Sequence, residues 1–410
     1  MVLHAAVNKI NLLTKRLGKY LSSYQPYKQI GSRSLSYFKG KRSGVAKCDY
    51  IASLDFLRGI AVTLVVLFHS GLLTVGWLGV PVFFSLSGFL ITRGLLRSKA
   101  DSDGTRTYFS RFYRNRIFRI FPLYFFLIIF LTLISFIVDL PGYTSWMWVI
   151  LSTFSTNFVT LATGQRPEGV VIHFWSLAVE EQFYLVWPLI VWSLSNARLK
   201  YLLWILILVT PLGRWVIAAS LPASIDGLNR GNILYTLPSS HLDSLAVGAL
   251  LALEEFSNQL HLVTKKLFCA TLIFIGAHVF TVYNYWDVPF SNTFIISVPE
   301  RLIFTGAHIW FLSIIATVCG IVITRCVQRK HHMEFLIGKC FIRLGKVSYS
   351  LYLLHVPIRL FIVSFFSIPL TIEDRFLVLV MYAPLSYCLA ELSYRWIELP
   401  FLRLKDRNPC

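Results

Sequence analysis

The chain has 410 residues, 39 Lys and Arg against 20 Asp and Glu, a formal net charge of +19, and 56% apolar residues against 14% charged ones. A water-soluble domain carries about 25% charged residues, so this composition, with several continuous apolar runs of spanning length, excludes one. The runs do not alternate, which argues against a membrane β-barrel. Lys and Arg fall between the runs, a pattern of membrane topology and not of nucleic-acid binding.

What remains is an all-α fold, a polytopic membrane helix bundle with about ten transmembrane helices. The seven cysteines, Cys48, Cys269, Cys319, Cys326, Cys340, Cys388 and Cys410, are odd in number and scattered. They show neither metal-ligand spacing nor a disulfide framework, and no metal is expected.

Residues 1–53 are basic from Lys9 to Lys47, with Asp49 the single acid. They predict a cytoplasmic arm, either solvated or carrying a surface-lying helix near Asn8–Ser22. No cleaved signal peptide is expected at this end.

The first predicted span, Leu54–Ser70 (LDFLRGIAVTLVVLFHS), holds Arg58 and His69 inside an apolar run. Eleven positions at ~100° each return to within roughly 20° of one helix face, and separate the two by about 16 Å. A permanent cation and a titratable imidazole thus share one stripe. Such groups usually face a bundle interior or a watery cavity, although Arg58 alone could snorkel to headgroups.

Spans are predicted at roughly 54–71, 78–96, 118–138, 174–194, 200–220, 241–256, 267–286, 302–324, 347–367 and 376–397. This places the Lys/Arg-rich segments 93–119, 195–200, 261–266, 325–346 and the tail 403–410 on one side with residues 1–53. The positive-inside rule then puts both termini in the cytoplasm. Residues 143–162 are apolar enough to span, but counting them would turn the basic segment 325–346 outward. They are read as a re-entrant or interfacial element on the outer side, with Trp146 and Trp148 suited to that boundary. No internal repeat suggests a transporter of repeated halves.

In the second span Gly76, Gly79 and Gly88 permit close helix approach, and Ser85 and Ser87 offer hydroxyls; packing explains them as well as function does. The following loop, SRFYRNRIFRIFP, carries Arg111, Arg114, Arg116 and Arg119. Guanidiniums at helical spacing suit bidentate phosphate contacts, against the simpler reading of a positive-inside anchor. HFWSLAVEEQFYLVWPL opens the fourth span, with Glu180 and Glu181 about two turns inside. They point roughly 100° apart, so one of them is expected to face His69.

Farther on, SSHLDSLAVGALLA places His241 and Asp243 at the outer mouth of the sixth span. GKVSYSLYLLHVP puts Tyr349, Tyr352 and His355 along the ninth. SYRWIELP ends the last with Arg395 and Glu398, most simply a local (i, i+3) ion pair.

LDFLRGIAVTLVVLFH, GVPVFFSLSGFLI, the RNRIFRIFP arginines, FWSLAVEEQFYL, HLDSLAVGALLA, VSYSLYLLHVP and WIELP resemble, in order across about 54–402, the acyltransferase-3 family of integral-membrane O-acyltransferases. The resemblance implies ten spans, in a bacterial inner or plasma membrane. It also implies an acyl-coenzyme A donor, commonly acetyl-CoA, and a hydroxyl acceptor, often a surface saccharide or glycoconjugate. The family's paired Arg and His fall on Arg58 and His69, its arginine motif on Arg114, Arg116 and Arg119, and its WSL–EE–FY motif on Trp175, Glu180 and Glu181. His241 stands where relatives often carry Arg, which leaves the partner of Asp243 open. The appended hydrolase-like domain of some relatives is not expected within these residues.

Under this reading the arginines at 111–119 bind the phosphates of acyl-CoA, and the pantetheine arm passes Arg58. His69 acts as general base or as covalent acyl carrier. Glu180 or Glu181 orients the imidazole, and Ser85 or Ser87 is the oxyanion-donor candidate. Outer aromatics, Trp146, Trp148, Tyr235, Tyr283, Tyr285 and Trp286, are candidates to stack on sugar. The competing class is a proton-coupled transporter or permease, because intramembrane Arg, His and Glu also mark proton paths.

Overall fold

The computed structural model describes residues 50–102, 104–140, 142–144, 146–285, 299–328, 336–366 and 371–407. The basic arm with its candidate helix at Asn8–Ser22, the side chains of Tyr285 and Trp286, and the end of the tail lie outside the described residues.

Every predicted span is a helix: α1 (Ala52–His69), α2 (Gly79–Asp101), α3 (Thr105–Ser135), α6 (Phe174–Ser193), α7 (Asn196–Ser220), α9 (Leu242–Phe256), α10 (Leu260–Tyr285), α11 (Ala307–Gln328), α13 (Ser348–Phe365) and α14 (Ile372–Ser393). Between them run α4 (Met147–Ser152), α5 (Val159–Thr163), α8 (Gly227–Thr236) and α12 (Leu336–Lys346); α15 (Leu399–Arg407) follows α14. No strand occurs among the described residues.

Eight helices among the described residues are long and apolar enough to cross a bilayer; α6 and α9 are not among them. α6 carries Glu180 and Glu181 in its middle, and α9 has only 15 residues. The reason is position. From Asp243 to Glu254 every residue of α9 is buried, so this helix faces protein on all sides and need not match the lipid thickness.

The α2–α9 crossing explains part of the second-span pattern. A Cβ on Gly88 would sit 2.1 Å from the carbonyl oxygen of Leu245, and one on Gly248 would sit 1.9 Å from that of Ser85. Each helix therefore lacks a side chain where the other's backbone passes. Gly79 likewise lets α2 approach α1 at the Ala61 carbonyl.

Residues 143–162 do not form a span. They break into α4, a 3₁₀ turn at Thr156–Phe158 and α5, with Phe154 at φ 51° in the left-handed region. Gln182 donates to the Phe154 carbonyl (2.8 Å) and exchanges amide bonds with Asn157, and Asn232 donates to Thr160 Oγ1 at 2.7 Å. These bonds hold the segment at the level of Gln182, two turns into α6. Irregular backbone is tolerated beside a spanning helix where protein groups satisfy it.

Two features differ from the sequence reading. Residues 325–346, taken as a plain basic connection, contain the amphipathic α12, which lies so close to α1 that a Cβ on Gly345 would meet the Asp55 carbonyl oxygen at 1.8 Å. The local pair Arg395–Glu398 does not form. Arg395 binds Glu391 instead (2.8 Å), and Glu398 is buried against Ser350. Tyr394–Glu398 is a π-helical turn, whose i→i+5 bonding widens the turn and takes positions i and i+3 off a common face.

At the end of the bundle where the basic connections lie, Arg93 pairs with Glu255 (2.8 Å) and Lys200 pairs with Glu254. Lys99 donates to the carbonyls of Val191 and Leu194. The ends of α2, α6, α7 and α9 are thereby tied at one level.

Candidate active site

Two partly open cavities lie end to end along α1. The first, about 90 Å³, is lined by Arg58, Arg116 and Arg119 together with Ser87, Glu180, Tyr184, Ser176, Tyr349, Tyr352 and Val80. The second, about 60 Å³, is lined by His69, His173, Trp175, Tyr235 and Asn232, again with Tyr352 and Val80. Arg58 and His69 therefore both face the interior, in adjacent chambers that share a wall.

In the first chamber, Arg58 comes from the second turn of α1, 3.6 Å from Asp55. Arg116 and Arg119 come from the first half of α3, ahead of Pro122. The Arg116 guanidinium lies 5.7 Å from the centre of the Tyr184 ring, and its Nε is buried with no hydrogen-bond partner among the described residues. Ser87 Oγ donates to Glu180 Oε1 (2.6 Å), and the Tyr184 hydroxyl donates to Glu180 Oε2 (3.3 Å). Glu180 is thus one carboxylate held by two hydroxyls among three guanidiniums. A partnerless guanidinium N–H in a cationic chamber suits a phosphate or another anion. The volume suits a thin chain, since a whole cofactor-sized ligand needs about 300 Å³ or more.

Other sequence candidates stand elsewhere. Arg111 and Arg114 are not among the described residues lining either chamber, and neither is Glu181, one position and ~100° round α6 from Glu180. Ser85 is buried at the α2–α9 crossing, whereas Ser87 reaches the first chamber. Of the outer aromatics, Tyr235 lines the second chamber; Trp146, Trp148 and Tyr283 are largely exposed.

His69 and His173 of the second chamber each stand near His355, which is not itself one of its lining residues. The His355 ring centre lies 5.0 Å from that of His69 and 5.1 Å from that of His173. His355 Nδ1 is 2.7 Å from the Tyr352 carbonyl, and His173 Nε2 is 3.1 Å from the Leu353 carbonyl. A carbonyl only accepts, so each of these nitrogens carries the proton. His355 Nε2 and His173 Nδ1 are left as bare lone pairs, buried without partners among the described residues. Of Glu180 and Glu181, the orienting partners expected for His69, Glu180 lines the arginine chamber, and the imidazole beside His69 is that of His355. Three rings this close suggest a metal, yet among the described residues no three His, Cys, Asp or Glu side chains converge as ligands would.

Sequence reasoning missed Arg214. It lies fully buried in α7 and binds Asp243 through Nη1 (2.9 Å) and Nη2 (3.0 Å), the Ser240 carbonyl (2.7 Å) and the Ile309 carbonyl (3.0 Å). Ser313 donates to the same carboxylate at 2.5 Å. The open partner of Asp243 is therefore Arg214, not its neighbour His241, whose Nε2 bonds the Tyr235 carbonyl and whose ring packs on Phe84 and Trp175. A lone Arg in an apolar run was the available signal, the same one that drew attention to Arg58. His173 and His355 stood in recognised motifs, but nothing in their spacing joined them to His69.

A family model described as an acyltransferase domain matches residues 51–395. The chain is 29% identical over 374 residues to O-acetyltransferase OatA of Staphylococcus aureus, covering 86% of this chain and 57% of OatA. It is 28% identical over 383 residues to a second S. aureus protein, provisionally named an O-acetyltransferase, covering 87% of this chain and 58% of that one. The chain thus spans little more than half the length of these relatives. No solved structure matches it. With the match running from the start of α1 to the π turn that ends α14, the chain belongs to the acyltransferase-3 family of membrane acyltransferases.

Proposed function

We propose that this protein moves an acyl group, acetyl in the first instance, from cytoplasmic acyl-CoA to a hydroxyl of a saccharide or glycoconjugate on the other side of the membrane. The observation that carries this reading is the pair of chambers with a common wall, three arginines in one and His69 in the other. Coenzyme A phosphates cannot cheaply leave water, so the nucleotide stays at the basic end, held by Arg116 and Arg119. The pantetheine arm is thin enough to enter past Arg58. The relatives' names, which assign O-acetyl transfer to those proteins, point the same way.

His69 then meets the thioester from one side and the acceptor from the other. The hydroxyl oxygen attacks the thioester carbon as His69 takes its proton; the C–O bond forms, the C–S bond breaks, and the thiolate recovers a proton from the imidazolium. His355, with Nδ1–H tied to the Tyr352 carbonyl and its ring centre 5.0 Å from that of His69, is the positioning partner for His69. Ser87 already donates to Glu180, which leaves backbone amides as the oxyanion-donor candidates.

The test uses the full chain in lipid nanodiscs with acetyl-CoA. Thiol release and acetylation of isolated surface glycans are expected, and His69→Ala abolishes both while the protein still inserts. Protein that neither hydrolyses acetyl-CoA nor transfers from it would remove the acyltransferase reading.

A further inference from the structure

The acyl-transfer step draws on His69 and His355 and leaves His173 without a task. His173 stands at the start of α6, the end away from Lys99 and the basic connections. It is 2% exposed and lines the second chamber together with His69. Its Nε2–H donates to the Leu353 carbonyl, 3.1 Å away, so Nδ1 carries a lone pair. That nitrogen is buried and has no hydrogen-bond partner among the described residues. A buried acceptor left unfilled is costly, and this one belongs to a cavity-lining side chain. Trp77, Trp175 and Tyr235 line the same chamber, with the Tyr235 ring centre 5.6 Å from that of Trp77 and 4.8 Å from that of Trp175. Aromatic walls with a few fixed polar groups suit a small ring-shaped ligand that presents hydrogen-bond donors. The amide N–H groups of acyl-CoA trail the thioester toward the arginine chamber, so the acceptor is the substrate placed to supply that donor.

We propose that His173 is a specificity residue for the acceptor: its Nδ1 accepts a hydrogen bond from a second hydroxyl next to the one that reacts at His69. The chamber then takes vicinal diols, such as a sugar ring presents, in preference to simple alcohols. The second hydroxyl keeps its proton; only the one at His69 is deprotonated and acylated. The inference rests on the acyltransferase reading and adds to it a requirement on the acceptor and the residue that imposes it.

Two small alcohols test it. The full chain in lipid nanodiscs is given acetyl-CoA with either cis-1,2-cyclohexanediol or cyclohexanol, which differ by one hydroxyl on the same ring. The quantity read is the ratio of kcat/KM for the diol to that for cyclohexanol within one preparation, which cancels differences in how much of a variant folds. A site built around a substrate hydroxyl rejects the analogue that lacks it, so the wild-type ratio is expected to be at least about tenfold. His173→Phe keeps a ring but no lone pair, and is expected to bring the ratio down to about two, the statistical value for two hydroxyls. His173→Asn, whose side-chain oxygen falls close to the position of Nδ1, is expected to restore part of it. A wild-type ratio near two overturns the proposal. So does an unchanged ratio in His173→Phe, because something other than the acceptor then fills the lone pair. Thiol release from acetyl-CoA with neither alcohol acetylated overturns it as well. Protein that releases no thiol overturns instead the acyltransferase reading, and this inference with it.

Discussion

The imidazole of His355 stands edge-on to that of His69, ring centres 5.0 Å apart and planes at 63°. The two residues lie on α1 and α13, and a backbone carbonyl fixes which nitrogen of His355 carries the proton. A ring whose own orientation is fixed by a hydrogen bond can hold a neighbouring imidazole in one orientation. His355→Ala is expected to reduce kcat by about 10²-fold while leaving KM for acetyl-CoA nearly unchanged, the scale of a weakened general base. His355→Gln, which keeps a hydrogen-bonding side chain, is expected to recover part of the loss. Loss of KM and kcat together would make His355 a packing residue.

The arginine chamber makes a different prediction. Arg116 has a buried N–H without a partner, and Arg111 and Arg114 do not line the chamber. Arg116→Ala is expected to raise KM for acetyl-CoA about tenfold, the size of one charge-assisted bond. Acetyl-pantetheine, which lacks the nucleotide phosphates, should show little change. Arg116→Lys is expected to restore only part of the affinity, because an ammonium cannot make the forked contact. Equal effects on the two thioesters would place the phosphates elsewhere.

The Arg214–Asp243 pair is fully buried, with both guanidinium ends on one carboxylate oxygen. Removing one partner strands the other charge inside the bundle. Arg214→Met or Asp243→Leu alone is expected to destabilise by about 3–5 kcal/mol, and the double replacement to recover most of it. Thermal unfolding in detergent measures both. Additive losses would mean that each residue acts alone.

Helix approach at the α2–α9 crossing predicts a sharp contrast between two glycines. Gly248→Val drives side-chain atoms into the Ser85 carbonyl, already 1.9 Å from the Cβ position. Backbone cannot yield there as a flexible side chain would, so no folded protein should accumulate. Gly94→Ala meets nothing within 4 Å and is expected to be tolerated, with a gain of about 0.5–1 kcal/mol from helix propensity. Chromatography of the solubilised variants reads the outcome.

Part of the site was legible in the chain because it is local. Arg58 and His69 share a helix, and eleven residues at a fixed pitch put them on one face whatever the rest does. The reading of residues 143–162 drew on charge bookkeeping across loops, and their breaks at Phe154 and Thr156 fit it. Glu180 or Glu181 was expected to face His69; Glu180 lines the arginine chamber and Glu181 lines neither chamber among the described residues. Rotation of α6 turns Glu180 toward Arg58, and a 100° step per residue gives no hint of which helix stands opposite.

Sequence alone determined the helices, their apolar lengths and which side chains share a stripe, since backbone hydrogen bonding in a bilayer leaves each segment little choice but to coil. Only the tertiary structure decided that His355 stands beside His69, that Asp243 answers Arg214, and that Val80 and Tyr352 line both chambers. Those contacts join residues far apart in the chain, and they depend on the order, tilt and rotation of whole helices, which close packing fixes and local pattern does not encode.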